Sequence, residues 1–215
     1  MKKILVVVSC TIQAAVYSQS SHKFCRGYIC SSEGDTVFTK IIIENTVKNI
    51  ELSDLYQKVV YVSNDNQLDT AYPGKSKIMG YGFQKDTGMY HFIRVKTGKK
   101  GKKDIFKYAW RILDGYAKLY SYAYDFVGMK TTYQNGWAHG DIYRNKSLNY
   151  YLQKGASEAK FVPQRQRIFN DEKWLKDFFK DDETLRKKIG KEIKSYDLEA
   201  MVNEYNAWYS SRQEN

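Results

Sequence analysis

Asp114-Gly115 is the feature that most limits how this chain can fold. Both residue types tolerate a positive φ, so the dipeptide reads as a two-residue hairpin turn joining strands over 104–113 and 116–125. A turn of that length fixes the register. Leu113 is then expected opposite Tyr116, Trp110 opposite Leu119 and Tyr108 opposite Ser121. One face collects Phe106, Tyr108, Trp110 and Ile112 with Ala117, Leu119 and Ala123. Large residues on one strand meet small ones on the other, which is how a core face packs. The second face mixes Lys107, Arg111 and Lys118 with Tyr116, Tyr120, Tyr122 and Tyr124, and reads as half exposed or covered by a second layer.

A lone hairpin is marginally stable, so neighbouring strands are required. The sequence from 24 to about 152 supplies them, as runs rich in Val, Ile, Tyr and Phe between turn residues. Runs 24–31 and 36–44 flank Ser32-Glu33-Gly34-Asp35, and 58–63 and 67–72 flank Asn64-Asp65-Asn66. Runs 78–83 and 89–96 flank a loop holding Asp86 and Gly88, and 148–153 forms a further strand. Segment 127–146 has no period and contains Gly128, Gly136 and Gly140. It is expected as a long loop, a length usually reserved for function or mobility.

Past residue 170 the spacing becomes helical. Asn170 is placed to cap a helix with Asp171 and Glu172 in its first turn and Trp174 and Phe178 on one face. Asp181 or Asp182 starts a second helix that carries Leu185 and Ile189 and is closed by Gly190. Leu198, Met201, Val202, Tyr205 and Trp208 stripe a third at spacings of three and four, a packing face. The expected fold is α+β: an antiparallel sheet or partly closed barrel over 19–165, then three short C-terminal helices over 166–215 packed on it.

The first eighteen residues read differently. Lys2 and Lys3 precede an apolar run over 4–16, and Val16-Tyr17-Ser18 offers a cleavage site. That order is the secretory signal pattern, and the run is too short to span a membrane. A first buried strand, or a lipoprotein signal with Cys10 as the modified residue, are the alternatives. The expectation is an exported protein, periplasmic, outer-membrane-associated or secreted, with no transmembrane segment in the mature chain. Cys25 and Cys30 remain after cleavage. Five residues apart on a strand, they point to opposite faces about 16 Å apart, beyond disulfide reach. They are expected unbridged and buried.

Charge then narrows the partner. Residues 1–18 hold two lysines and no acid, so removing them takes the formal charge from +11 to +9. Segment 170–215 carries −2, which leaves +11 on 19–169. A basic surface attracts polyanions, and export favours anionic envelope lipid, glycan or protein over nucleic acid. The densest charge is 96–103, with five lysines in eight residues between two expected strands. Lys99, Lys100, Lys102 and Lys103 are thus candidate anion contacts at a hairpin tip, against the plainer reading of a solvated tip. The segment lacks P-loop spacing, and no helix follows it. Trp137 and His139 are candidate ligand contacts inside the expected loop, an aromatic beside an imidazole. Asp141 lies only two residues from His139 and no nucleophile stands out, so no catalytic residue is assigned. Three histidines without close spacing give no metal site, and no cofactor fingerprint is present. The 19 tyrosines suit half-exposed sheet faces and binding surfaces.

Taken in order, Gly27-Tyr28-Ile29, Gly34-Asp35-Thr36, Gly80-Tyr81-Gly82-Phe83, Leu113-Asp114-Gly115, Lys118-Leu119-Tyr120, Tyr150-Tyr151-Leu152, Phe179-Lys180-Asp181 and Glu204-Tyr205-Asn206 resemble a group of uncharacterised exported proteins of Bacteroidota-type bacteria. The resemblance covers most of the mature chain and implies a signal peptide and a β segment followed by short helices. That group has no assigned activity, so it implies no catalytic residue. The leading expectation is a non-enzymatic envelope or secreted protein that binds a partner through basic, Tyr-rich surface. The alternatives are a hydrolase of envelope glycans or lipids and a small apolar-ligand carrier. Intact-mass analysis of protein exported by the native host is expected to show an N-terminus within a few residues of Gln19. Retained Met1 or lipid on Cys10 would contradict that.

Overall fold

The computed structural model describes residues 22–44, 52–85, 88–134, 137–165 and 169–213. The expected signal segment lies outside them. Strands β1 (His22–Ser31), β2 (Thr36–Glu44), β3 (Val59–Val62), β4 (Leu68–Ala71), β5 (Ile78–Lys85), β6 (Gly88–Lys100), β7 (Lys103–Leu113), β8 (Ala117–Gln134), β9 (Trp137–Lys154) and β10 (Lys160–Phe161) form one antiparallel sheet. Its order is β10-β9-β8-β7-β6-β5-β1-β2-β3-β4, so it curls as an open half-barrel with β4 and β10 at its edges. A short ladder pairs β11 (Gln164–Arg165) with β12 (Phe169–Asn170). Helices α2 (Glu172–Phe178), α3 (Glu183–Lys188) and α4 (Leu198–Gln213) follow. A one-and-a-half-turn helix, α1 (Leu52–Gln57), precedes β3 and was not expected from the sequence. The fold is α+β. No helix among the described residues is long and apolar enough to cross a membrane.

Two cores flank the sheet's middle. In the first, Tyr81 is fully buried, stacked on Phe92 at 4.7 Å and edge-on to Tyr108 at 5.0 Å. Its hydroxyl donates to the Leu55 carbonyl at 2.6 Å, which ties α1 to the sheet. The second core joins Leu119 and Leu152 of the sheet to Leu175, Phe179, Leu185, Ile189, Leu198, Met201, Val202 and Tyr205 of the helical segment. Each such side chain contributes about 1.5–3 kcal/mol on burial, so helix docking is mainly apolar. Lys154, Asp181 and Tyr205 add a polar clasp. The ammonium of Lys154 lies 2.5 Å from the Asp181 carboxylate and 4.3 Å above the Tyr205 ring, and the Tyr205 hydroxyl donates to the same carboxylate.

The helix caps follow from short polar side chains. Asp171, not Asn170, caps α2, accepting from the Lys173 and Trp174 amides at 3.0 and 3.2 Å. Asn170 is instead buried, and its side-chain amide donates to the Ser195 carbonyl at 2.6 Å. Asp182 caps α3 through the Leu185 amide, and Asp197 accepts from the Ala200 amide to start α4. Cys25 is buried, Cys30 is half-buried, and no disulfide joins them.

The expected register around Asp114-Gly115 is corrected by the structure. Trp110 stands opposite Ser121, not Leu119, and Leu113 stands opposite Leu119 after a bulge. The connection is therefore wider than two residues. The cause is Asn206 of α4, which enters the loop. Its carboxamide accepts from the Ala117 amide at 2.7 Å and donates to the Ala117 and Asp114 carbonyls at 2.9 and 3.3 Å. Gly115 has φ +140°, and a Cβ there would lie 2.4 Å from the Asn206 nitrogen. Trp110 is consequently half-buried, stacked on Tyr90 at 6.2 Å. Asn206→Ala strands the buried Ala117 amide and is expected to lower unfolding stability by about 1–3 kcal/mol in urea titrations. A loss under about 0.5 kcal/mol would contradict this role.

Candidate functional site

The four candidate lysines stand together at the tip of the β6–β7 hairpin. Lys100 is opposite Lys103, and Gly101 takes φ +62° in the turn between them. The first β5–β6 pair is Gly80 with Ile93, and the last β7–β8 pair is Trp110 with Ser121. Beyond those positions β6 and β7 pair only with each other, so the hairpin extends roughly 20 Å past the sheet's shared ladder. Asp104 holds Lys96 at 2.8 Å. Lys99, Lys100, Lys102 and Lys103 are exposed, and none is within ion-pair distance of a carboxylate among the described residues. Four cations thus face solvent at one turn.

Trp137 and His139 lie elsewhere. The loop expected over 127–146 is absent as such: β8 and β9 continue as an unbroken ladder from Ala117 opposite Lys154 to Gln134 opposite Trp137. His139 stands opposite Thr132, and Asp141 opposite Lys130. The glycines that hid the alternation sit in this ladder, Gly128 opposite Tyr143 and Gly140 opposite Thr131. The signal that points to it is Asn135-Gly136, the strongest hairpin dipeptide, between the two runs. The side chains of Trp137 and His139 lie outside the described residues. No backbone pair links them to the lysine tip.

A third constellation crosses the sheet face and was not visible in the sequence. Phe38, Tyr28, Gly82 and His91 are successive cross-strand partners on β2, β1, β5 and β6. The ring of Tyr28 lies across Gly82, where a Cβ would meet it at 2.6 Å. The glycine lets Tyr28 reach over β5, so its hydroxyl and His91 Nδ1 share a 2.5 Å hydrogen bond. Burial raises the Tyr28 phenol above its usual range, with the nearby Cys30 thiol adding to the shift. Burial also lowers the His91 imidazole, and the Arg111 guanidinium lowers it further. Both groups are therefore neutral near pH 7. Beside this row lies a shallow hollow of about 420 Å³, walled by Tyr28, Phe38 and Met89 and rimmed by Arg26 and Gln84. A wider groove of about 570 Å³ runs between α2 and α3 and is lined by Lys173, Lys176, Arg186, Lys187 and Lys191 with two carboxylates.

Among the described residues, no three His, Cys, Asp or Glu side chains converge as a metal-ligand set. Comparison of the chain with protein-family models, curated proteins and solved structures finds no match.

His91 gives a signed pH expectation. Its folded pKa lies below the ordinary value of about 6.5, so the unfolded chain takes up its proton first as pH falls. The stability linked to neutral His91 is full above about pH 6.5, declines below it, and levels off once the folded state also protonates. An NMR titration is expected to place His91 below 6.5, and His91→Gln to flatten the loss of stability between pH 7.5 and 5.5. A His91 pKa above 6.5 would contradict the half-buried, neutral assignment.

Proposed function

We propose that this is a non-enzymatic exported protein that meets an anionic envelope partner through the tip of the β6–β7 hairpin. Kinship with the exported Bacteroidota-type group belongs to the same proposal. The observation that carries it is the set of four exposed lysines, Lys99, Lys100, Lys102 and Lys103, held at one turn with no acidic neighbour at ion-pair distance among the described residues. Like charges gathered this way repel, and a polyanion relieves that repulsion on contact. The glycines Gly98 and Gly101 have nothing within 4 Å of a Cβ position, so a flat anionic surface can approach the backbone.

Magnitude supports a lipid surface as the partner. A lysine near an anionic bilayer contributes about 1 kcal/mol, so four contribute about 4 kcal/mol at low salt. Screening over about 8 Å at physiological salt reduces this. The test is co-sedimentation with vesicles containing phosphatidylglycerol. Replacing the four lysines with Ser is expected to leave the fold intact and to weaken binding at least tenfold at low salt. The wild type is expected to lose most of its binding as salt rises to 0.5 M. Equal binding by both proteins, or none by the wild type at low salt, would overturn the proposal.

A further inference from the structure

We infer that the hollow on β1, β2, β5 and β6 is a second binding site, for a small amphipathic carboxylate. The site is separate from the lysine tip, and the inference does not rest on the reading given to that tip. Met89 is the second residue of β6 and Lys100 the last, so about eleven residues, or roughly 35 Å of strand, separate the two.

Two adjacent cross-strand rows build the hollow. The first is apolar and aromatic: Phe38 opposite Tyr28, Tyr28 opposite Gly82, Gly82 opposite His91. Phe38 is 83% exposed and meets the Tyr28 ring edge-on at 6.5 Å. The second row is polar at one end. Lys40 stands opposite Arg26, and Gln84 stands opposite Met89, which is 50% exposed. Arg26 and Gln84 both line the hollow, on β1 and its neighbour β5.

The pairing of Arg26 with Lys40 is the decisive observation. Like charges directly opposite on antiparallel strands are destabilising. Neither has a carboxylate within ion-pair distance among the described residues, whereas Lys77, Lys96, Arg111, Lys154, Lys176, Lys187 and Lys188 each have one. An anion seated between them removes the repulsion. Ammonium, guanidinium and the amide of Gln84 offer donors along the row, and a carboxylate accepts only. The guanidinium fork matches a carboxylate in two parallel hydrogen bonds.

The remaining wall sets the rest of the ligand. Phe38, Tyr28 and Met89 leave apolar surface to water, around a volume within the range of small-molecule sites, about 300–1,000 Å³. A Cβ at Gly27 would lie 2.3 Å from the Gly82 carbonyl, so only glycine permits this close approach of β1 and β5 beside the hollow. An alkyl chain fits that wall, with its carboxylate at the Arg26–Lys40 end.

The test is calorimetric titration of the mature protein with sodium decanoate below its micelle concentration, with sodium acetate and 1-decanol as arms. Decanoate is expected to bind with one-to-one stoichiometry, and acetate and decanol at least tenfold more weakly. The double variant Arg26→Gln, Lys40→Gln is expected to lose at least tenfold for decanoate. Phe38→Ser is expected to lose affinity with the charges intact, which separates a lost wall from a lost fold. The four-lysine Ser variant is expected to bind decanoate as the wild type does, so failure at the tip and failure at the hollow read out separately. No binding of decanoate, equal binding of decanol, or full affinity in the double variant would each overturn the inference.

Discussion

Tyr81 sets the constraint on which the rest of the molecule depends. It is fully buried, and a buried hydroxyl without a partner is costly. Its hydroxyl is answered by the Leu55 carbonyl, which fixes α1 against the inside of the sheet. Its ring lies flat on Phe92 and near parallel to Phe83, and Tyr108 meets it edge-on. Strands β5, β6 and β7 are thereby locked in one arrangement. The tyrosine-rich composition is thus partly a core property, since Tyr56, Tyr108, Tyr120 and Tyr151 are also buried. Tyr120 places its hydroxyl on Gln153 at 2.6 Å, whereas the buried Tyr151 hydroxyl has no hydrogen-bond partner among the described residues.

The sheet so locked has two ends with different chemistry. At one end the helical segment seals the β7–β8 turn through Asn206 and through the clasp of Lys154, Asp181 and Tyr205. Burial alone would raise the Asp181 carboxyl, but the hydrogen bonds from Lys154 and Tyr205 outweigh it and hold it below the usual range. Its contribution to stability is therefore present above the ordinary carboxylate pKa and is lost as pH falls through the lower folded value. Burial lowers the Lys154 ammonium, despite the carboxylate beside it, so the clasp orients the helices more than it stabilises them. At the other end α1 meets the β6–β7 hairpin at Lys107, which donates to Gln57, and the lysines of the tip stand exposed beyond that contact.

Much of this was legible locally. The first three hairpins, the turn at Gly101 and the cap of α3 follow from alternation and short polar residues, which act within a few positions. What was not legible depends on distant partners. Asn206 widens a turn at Asp114-Gly115 from 92 residues beyond Asp114 and moves Trp110 to a new partner. Tyr28 and His91 meet across 63 residues because Gly82 lies between them. Gly128 and Gly140 broke the visible period of β8 and β9, although Asn135-Gly136 is a hairpin signal in the sequence between them. The charge balance misled in one respect. The helical segment is net acidic, yet it gathers five cations along the groove between α2 and α3.

That groove is the competing anion site, and the central claim turns on which of the two an anionic surface touches. The most direct measurement is residue-resolved amide mapping by NMR, as nanodiscs containing phosphatidylglycerol are added at low salt. The account predicts broadening confined to residues 96–104, with the amides of α2 and α3 unchanged. Broadening of 173–191 with an unchanged β6–β7 tip would contradict it.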